Sequence, residues 1–230
     1  VAADVNGNED FIDDPIAPDW VDMGGVQTRQ YGFPADLSSA PGTSGNRKAG
    51  AVNAFFWANW YHDRLFVLGF DEGAGNFQKR NYGSVGLGDD PMVVLVQHPL
   101  TLNNSGIIPF PDGMVPLLVA STFTGPEPDR DAALDQQIFL HELTHGLTTR
   151  IAGGPNVVGL SGSMQAQALG EGFGDWYALT LLSSPGQNPS RPCGMAGWSG
   201  YHLYKDVPLA AGLPPFTFAF EDNFYYGLRR

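Results

Sequence analysis

The sequence is poor in cysteine, in positive charge and in long apolar runs. Cys193 is the one cysteine among 230 residues, so no internal disulfide can form. It lies in a Pro/Ser/Gly-rich loop beside no candidate base, which reads as a structural thiol. Lys and Arg number 12 against 24 Asp and Glu, a formal net charge of −12. Nucleic acid is therefore not an expected partner, because its phosphates need a basic face. No apolar stretch approaches the ~20 residues of a membrane span, so no membrane partner is expected either. The first residue is Val1 and no signal-peptide pattern is visible, so a processed or trimmed chain is expected.

Hydrophobic residues make up 43% and charged residues 16%, a globular composition with enough chain to bury a sizeable core. Glycine (30) and proline (18) are abundant, which predicts many turns and few long helices. Residues 1–48 are polar. Asp4-Val-Asn6-Gly7-Asn8-Glu9-Asp10 resembles an oxygen-ligand loop for calcium but lacks the closing Glu of an EF-hand, so it reads as a solvated acidic turn, with a calcium site as the alternative. A helix is expected over 50–69, with Val52, Phe55, Phe56, Asn59 and Trp60 at three- and four-residue steps and Gly69 as C-cap. Met92–Val96 and Val115–Ala120 read as strands, joined by a connection containing Asn103-Asn104-Ser105-Gly106. A second helix should start near Asp131 as N-cap and run to about Ile151, where Gly153-Gly154 stops it. A third is expected from Gln165 to Leu182.

The central signal is His141-Glu142-Leu143-Thr144-His145. Two histidines four apart share a helix face, about 6 Å apart along the axis, so both imidazoles can ligate one zinc ion. Glu142 between them can take a proton from a metal-bound water. A catalytic zinc wants a third protein ligand and an open position. Glu171, in Gly170-Glu-Gly-Phe-Gly-Asp175, is the candidate. Each helical glycine costs about 1 kcal/mol relative to alanine, so three alternating ones imply that the two helices approach closely. Asp175 lies one turn beyond Glu171 and could accept a hydrogen bond from the free ring nitrogen of a zinc histidine, His141 by position. A metzincin would need Gly and His where this chain has Thr148 and Ile151. His62 beside Asp63 reads as a structural hydrogen-bonded pair, His98 as a strand end, and His202 has no informative spacing.

The run His141-Glu-Leu-Thr-His-Gly146-Leu-Thr-Thr-Arg150-Ile-Ala-Gly153-Gly154, followed by Gly170-Glu-Gly-Phe-Gly-Asp175, closely resembles the fungalysin family of zinc metallopeptidases. Tyr31-Gly-Phe-Pro-Ala-Asp-Leu37, His62-Asp63, Gly69-Phe70 and Ala74-Gly75-Asn76-Phe77-Gln78 fit the same family. The resemblance covers nearly the whole chain and implies a secreted, extracellular endopeptidase made as a proenzyme with a propeptide. It implies His141, His145 and Glu171 as zinc ligands and Glu142 as general base. Asn104 and Ser105 stand where relatives bind the substrate backbone, although Ser105-Gly-Ile-Ile108 departs from the family's Ala-Asn-Phe; Pro111-Asp112-Gly113 keeps the register.

The expected architecture is α+β, similar to a thermolysin-like zincin. Residues 1–128 form a strand-rich N-terminal lobe with one helix. Residues 129–230 hold the zinc helix and the start of a helical C-terminal lobe. The expected activity is zinc-dependent hydrolysis of protein or peptide substrates. The alternative is a non-catalytic zinc-binding scaffold, against which an intact Glu142 argues. Relatives continue into a helical lobe that supplies the donor for the oxyanion. A companion segment is therefore expected, released as a second chain by cleavage after Arg229-Arg230.

Overall fold

The computed structural model describes residues 19–22, 27–99, 101–186 and 195–200. The acidic Asp4–Asp10 segment, Cys193, His202 and the Arg229-Arg230 pair lie outside these residues. Ten elements follow in chain order: β1 (Asp19–Asp22), β2 (Gln27–Gln30), α1 (Ser44–Phe66), β3 (Val93–Val96), β4 (Ser105–Ile108), β5 (Leu117–Ala120), β6 (Thr122–Phe123), β7 (Arg130–Asp131), α2 (Gln136–Ile151) and α3 (Met164–Leu181). The expected α+β class holds. Among the described residues, no helix is long and apolar enough to cross a membrane.

The main sheet has the order β3-β5-β4, with β5 parallel to β3 and antiparallel to β4. Val94, Val96, Leu118 and Ala120 point into the core and meet Phe139, Leu140, Leu143 and Leu147 of α2. Sheet and helix thus bury one face each against the other, the usual two-layer solution. β4 had been expected as part of a connection. It is a strand because Ser105–Ile108 pairs residue for residue with Ala120–Leu117. Local propensity in Asn-Asn-Ser-Gly is weak, and pairing with a buried neighbour overrides it.

α1 starts six residues before the expected position, capped by Thr43, whose side chain accepts from the Asn46 amide. Gly50 is inside this helix because a Cβ there would lie 2.4 Å from the Asp131 carboxylate. The buried face of α1 is built from small residues, Ala51 and Ala54, with Tyr61 and Leu65, whereas Phe55 and Phe56 are 53% and 55% exposed. The three- and four-step aromatic stripe is therefore not the core face. Close approach of α1 to the β7 region leaves room only for Gly and Ala.

The chain entering the second helix also differs from expectation. Asp131 caps a single 3-10 turn, Ala132–Leu134, and Asp135 caps α2 itself by accepting from the Gln137 amide. Extended backbone at Asp135 (φ −97°, ψ 99°) separates the two, so Leu134 is not on the helix. α3 matches its expected span to within one residue and is capped by Ser163.

Candidate metal centre

α2 carries the site because its two faces do different work. Leu140, Leu143 and Leu147 enter the core, while His141 and His145 face α3 across a narrow gap. Tyr61 donates to the Thr144 hydroxyl at 2.9 Å, and Thr144 donates to the Leu140 carbonyl at 2.7 Å, tying the middle of α2 to α1. At the other end of the cleft, Asp135 accepts from the Ser199 amide at 3.2 Å and anchors the 195–200 segment beside the helix start.

The structure brings His141, His145 and Glu171 together. His145 Nε2 is 3.0 Å from His141 Nε2, and Glu171 Oε2 is 3.1 Å from His141 Nε2 and 3.6 Å from His145 Nε2. A tetrahedral zinc with bonds of about 2.0–2.1 Å needs ligand atoms about 3.3 Å apart. The triangle present brackets that edge, and two nitrogens with one carboxylate oxygen suit zinc chemically. The residues therefore fit the metal. Asp175, which is buried, accepts from His141 Nδ1 at 2.8 Å. That bond fixes the ring and leaves Nε2 pointing at the triangle.

The glycines of α3 contribute unequally. A Cβ at Gly174 would lie 2.7–2.9 Å from the His141 ring, so this glycine is required for the seat of His141. At Gly170 the nearest atom, on His145, would be 3.7 Å away, an ordinary contact, and Gly172 faces open space. The expectation that all three serve close approach is corrected: Gly170 and Gly174, one turn apart, face the two histidines, but only Gly174 leaves no room for a Cβ, and Gly172 faces away.

Charge in the cluster is shaped by packing. Burial lowers the His141 pKa, but hydrogen bonds to the Asp175 and Glu171 carboxylates outweigh it and push the value up to about 10. Hydrogen bonds from His141 and His145 hold Glu171 well below the usual carboxylate range. Glu142 is buried, and burial raises its pKa against the pull of both histidines. Three carboxylates and two imidazoles thus converge on a point where a cation would be stabilised.

The cluster opens into a cleft of about 510 Å³. Asn104, Ser105, Gly106 and Ile107 line its sheet side, and Ile138, Glu142 and Met195 lie toward the core. Sequence reasoning placed Asn104 and Ser105 near the site, and both reach it. It assigned no role to Ile107, Ile138, Gln167 or Met195, which also line the cleft. Helix periodicity signals Ile138, three residues before His141, and Gln167, four before Glu171, whereas Ile107 and Met195 reach the cleft through tertiary packing. His62 meets Asp63 at 3.0 Å and Gln78 at 3.2 Å, within the hydrogen-bonded network expected of it. His98 follows the end of β3.

A helix with two histidines one turn apart, a glutamate from the next helix and a sheet edge alongside form a candidate metal centre at the mouth of a cleft. Comparison with known sequences gives the particular family. Residues 3–203 match the family described as fungalysin metallopeptidase, and the chain belongs to it. Extracellular metalloproteinase MEP of Neosartorya fischeri is 34% identical over 169 residues, covering 74% of this chain and 26% of that protein. The protein of the same name from Leptosphaeria maculans is 35% identical over 150 residues, covering 65% and 24%. Extracellular metalloproteinase 2 of Trichophyton rubrum is 37% identical over 169 residues, covering 72% and 27%. The chain thus spans about a quarter of the length of the curated relatives it matches. Membership in a metallopeptidase family implies a bound metal.

Proposed function

We propose that this chain forms the zinc centre and the substrate edge of a secreted zinc endopeptidase. The observation that carries the reading is the His141–His145–Glu171 triangle of 3.0, 3.1 and 3.6 Å edges opening into a cleft with Glu142. His141, His145 and Glu171 would hold the zinc, and Asp175 would orient His141. Bound there, zinc supplies Lewis acidity toward water and toward the scissile carbonyl. Glu142 takes a proton from the attacking water and returns it to the departing amine. Burial raises its pKa and so makes it a stronger base for that proton.

An extended peptide would lie along β4, which is paired on one side by β5 and presents its other backbone edge to the cleft. Asn104 and Ser105 would bond the substrate backbone at the start of that edge. Residues 1–128 and 129–230 would form the two walls, and secretion is inferred from relatives named extracellular. Two further expectations belong to this reading, a propeptide in the precursor and a companion segment supplying the helical lobe. Exposed Leu169 and Phe173 on the outer side of α3 are apolar surface that such a segment would cover.

The test is casein cleavage by the complete protein, with its companion segment, before and after chelation and with zinc added back. Activity lost to chelator and restored by zinc is expected. Full activity in metal-free protein would sink the proposal.

A further inference from the structure

Nine residues beyond His141, the same helix holds a second buried ionic cluster that the mechanism does not use. Arg150, in the last turn of α2, is 1% exposed. Its Nη1 donates to Asp90 Oδ2 at 3.0 Å, Asp112 Oδ1 at 3.3 Å and the Gly75 carbonyl at 2.8 Å. Its Nε donates to the Phe110 carbonyl at 2.6 Å and its Nη2 to the Met114 carbonyl at 3.2 Å. The guanidinium sits 4.6 Å from the centroid of the Phe77 ring. Every edge of the fork is used, which only arginine can do.

These partners are not scattered. Phe110, Asp112 and Met114 belong to the segment that runs from the end of β4 to the start of β5. Gly75 and Phe77 belong to the segment between α1 and β3. Phe77 also packs at Gly146, where a Cβ would meet its ring at 3.0 Å and the Ile107 side chain of β4 at 3.0 Å. One turn before Arg150, then, the helix is flush against β4 and Phe77 at once. Arg150 clamps the exit of β4 and the ring of Phe77, while Gly146 lets both touch the helix that carries His141 and His145.

We infer that Arg150 is a positioning residue that sets the height of the β4 edge against the metal-bearing helix. It touches neither metal nor substrate. It acts by fixing Phe110 and Met114, the carbonyl groups just beyond β4, to a helix held rigid by the core. The chemistry it serves is recognition of an extended peptide backbone, whose carbonyl must reach the metal while its flanking amides pair with β4. An offset of about 1 Å between a binding edge and a reacting centre is enough to cost 10²-fold in rate. The proposal rests on the reading of β4 as the substrate edge.

The test is Arg150→Lys in the complete, zinc-loaded protein. Lysine keeps the charge beside Asp90 and Asp112 but cannot reach Phe110, Met114 and Gly75 together. Three readouts are taken: zinc affinity, amide hydrogen exchange at Gly106–Ile108, and the kinetics of an extended peptide substrate. Zinc affinity should stay within about twofold, exchange at β4 should accelerate about tenfold, and KM should rise about tenfold with a smaller change in kcat. A purely structural Arg150 would lower the melting temperature while leaving the folded fraction with wild-type β4 exchange and wild-type KM, and that result overturns the proposal. Phe77→Leu, which keeps the apolar packing at Gly146 and removes the ring face, should shift the same readouts in the same direction to a smaller extent. It carries the test if Arg150→Lys does not fold. Because exchange and zinc affinity are read without turnover, an inactive wild-type protein would refute the peptidase reading and leave the positioning result standing or fallen on its own.

Discussion

The two buried ionic clusters of α2 use similar residue types toward opposite ends. Around Arg150, Asp90 and Asp112 face a fixed guanidinium that contacts both, and the remaining donors go to backbone carbonyls. Burial raises the Asp90 pKa and Arg150 opposes the rise. The cation is part of the chain. Around His141, imidazoles and carboxylates converge on one point with no lysine or arginine among the residues lining that cleft. Ligand atoms gathered on one point with no lysine or arginine among them suit an external cation. A cluster that closes on its own guanidinium is a clamp. Counting buried charges would not separate the two; asking where the cation comes from does.

The comparison predicts that function and stability divide between the ends. Glu142→Gln should lower turnover by about 10²–10⁴-fold while zinc stoichiometry and melting temperature stay near wild type. Steady-state kinetics beside metal analysis checks this, and near-normal turnover would remove Glu142 from its role. Asp175→Asn should weaken zinc binding or activity by roughly 10–100-fold, because His141 loses the acceptor that sets its ring. The readout is competition with a zinc chelator. Equal affinity in the variant would show that the 2.8 Å bond is incidental.

Glycine substitutions on α3 sharpen the contrast between neighbouring positions. Gly174→Ala should displace the His141 ring and reduce zinc affinity, because the new Cβ meets ring atoms at 2.7–2.9 Å. Gly172→Ala meets nothing within 4 Å and should raise stability by up to about 1 kcal/mol through helix propensity. Thermal melts and zinc titrations of the pair check both signs.

The smallest effect concerns pH. Asp131 is buried, and burial raises its pKa to about 6 even though Gln97 and the Ala133 amide donate to it. The folded state therefore holds this proton more tightly than the unfolded chain. The contribution is fully present below the unfolded value of 3.8 and is lost as pH rises through about 6. Melting temperature should fall over that window, and Asp131→Asn should flatten the slope. An unchanged slope in the variant would assign it to another group.

The metal cluster was legible in the sequence because helices convert spacing into geometry. His141 and His145, and likewise Glu171 and Asp175, are four apart, so each pair shares a face wherever its helix packs. Features set by tertiary partners were not legible. β4 is a strand only through β5, and Asn103-Asn104-Ser105-Gly106 carries the signature of a turn. The exposed side of α1 holds Phe55 and Phe56 because the residues opposite are small enough to approach β7. Asp131 and Asp135 are both good caps, and only backbone geometry tells which one opens α2. Arg150 did leave a trace, as the lone arginine or lysine of α2, set in its last turn. Its partners, 36 to 75 residues away in sequence, leave no local pattern.

Calorimetric titration of zinc into metal-free protein tests the central claim most directly. The account predicts one tight site per chain, retained in Arg150→Lys and abolished in His145→Ala and in Glu171→Ala. Tight stoichiometric binding that survives both alanine substitutions would contradict it.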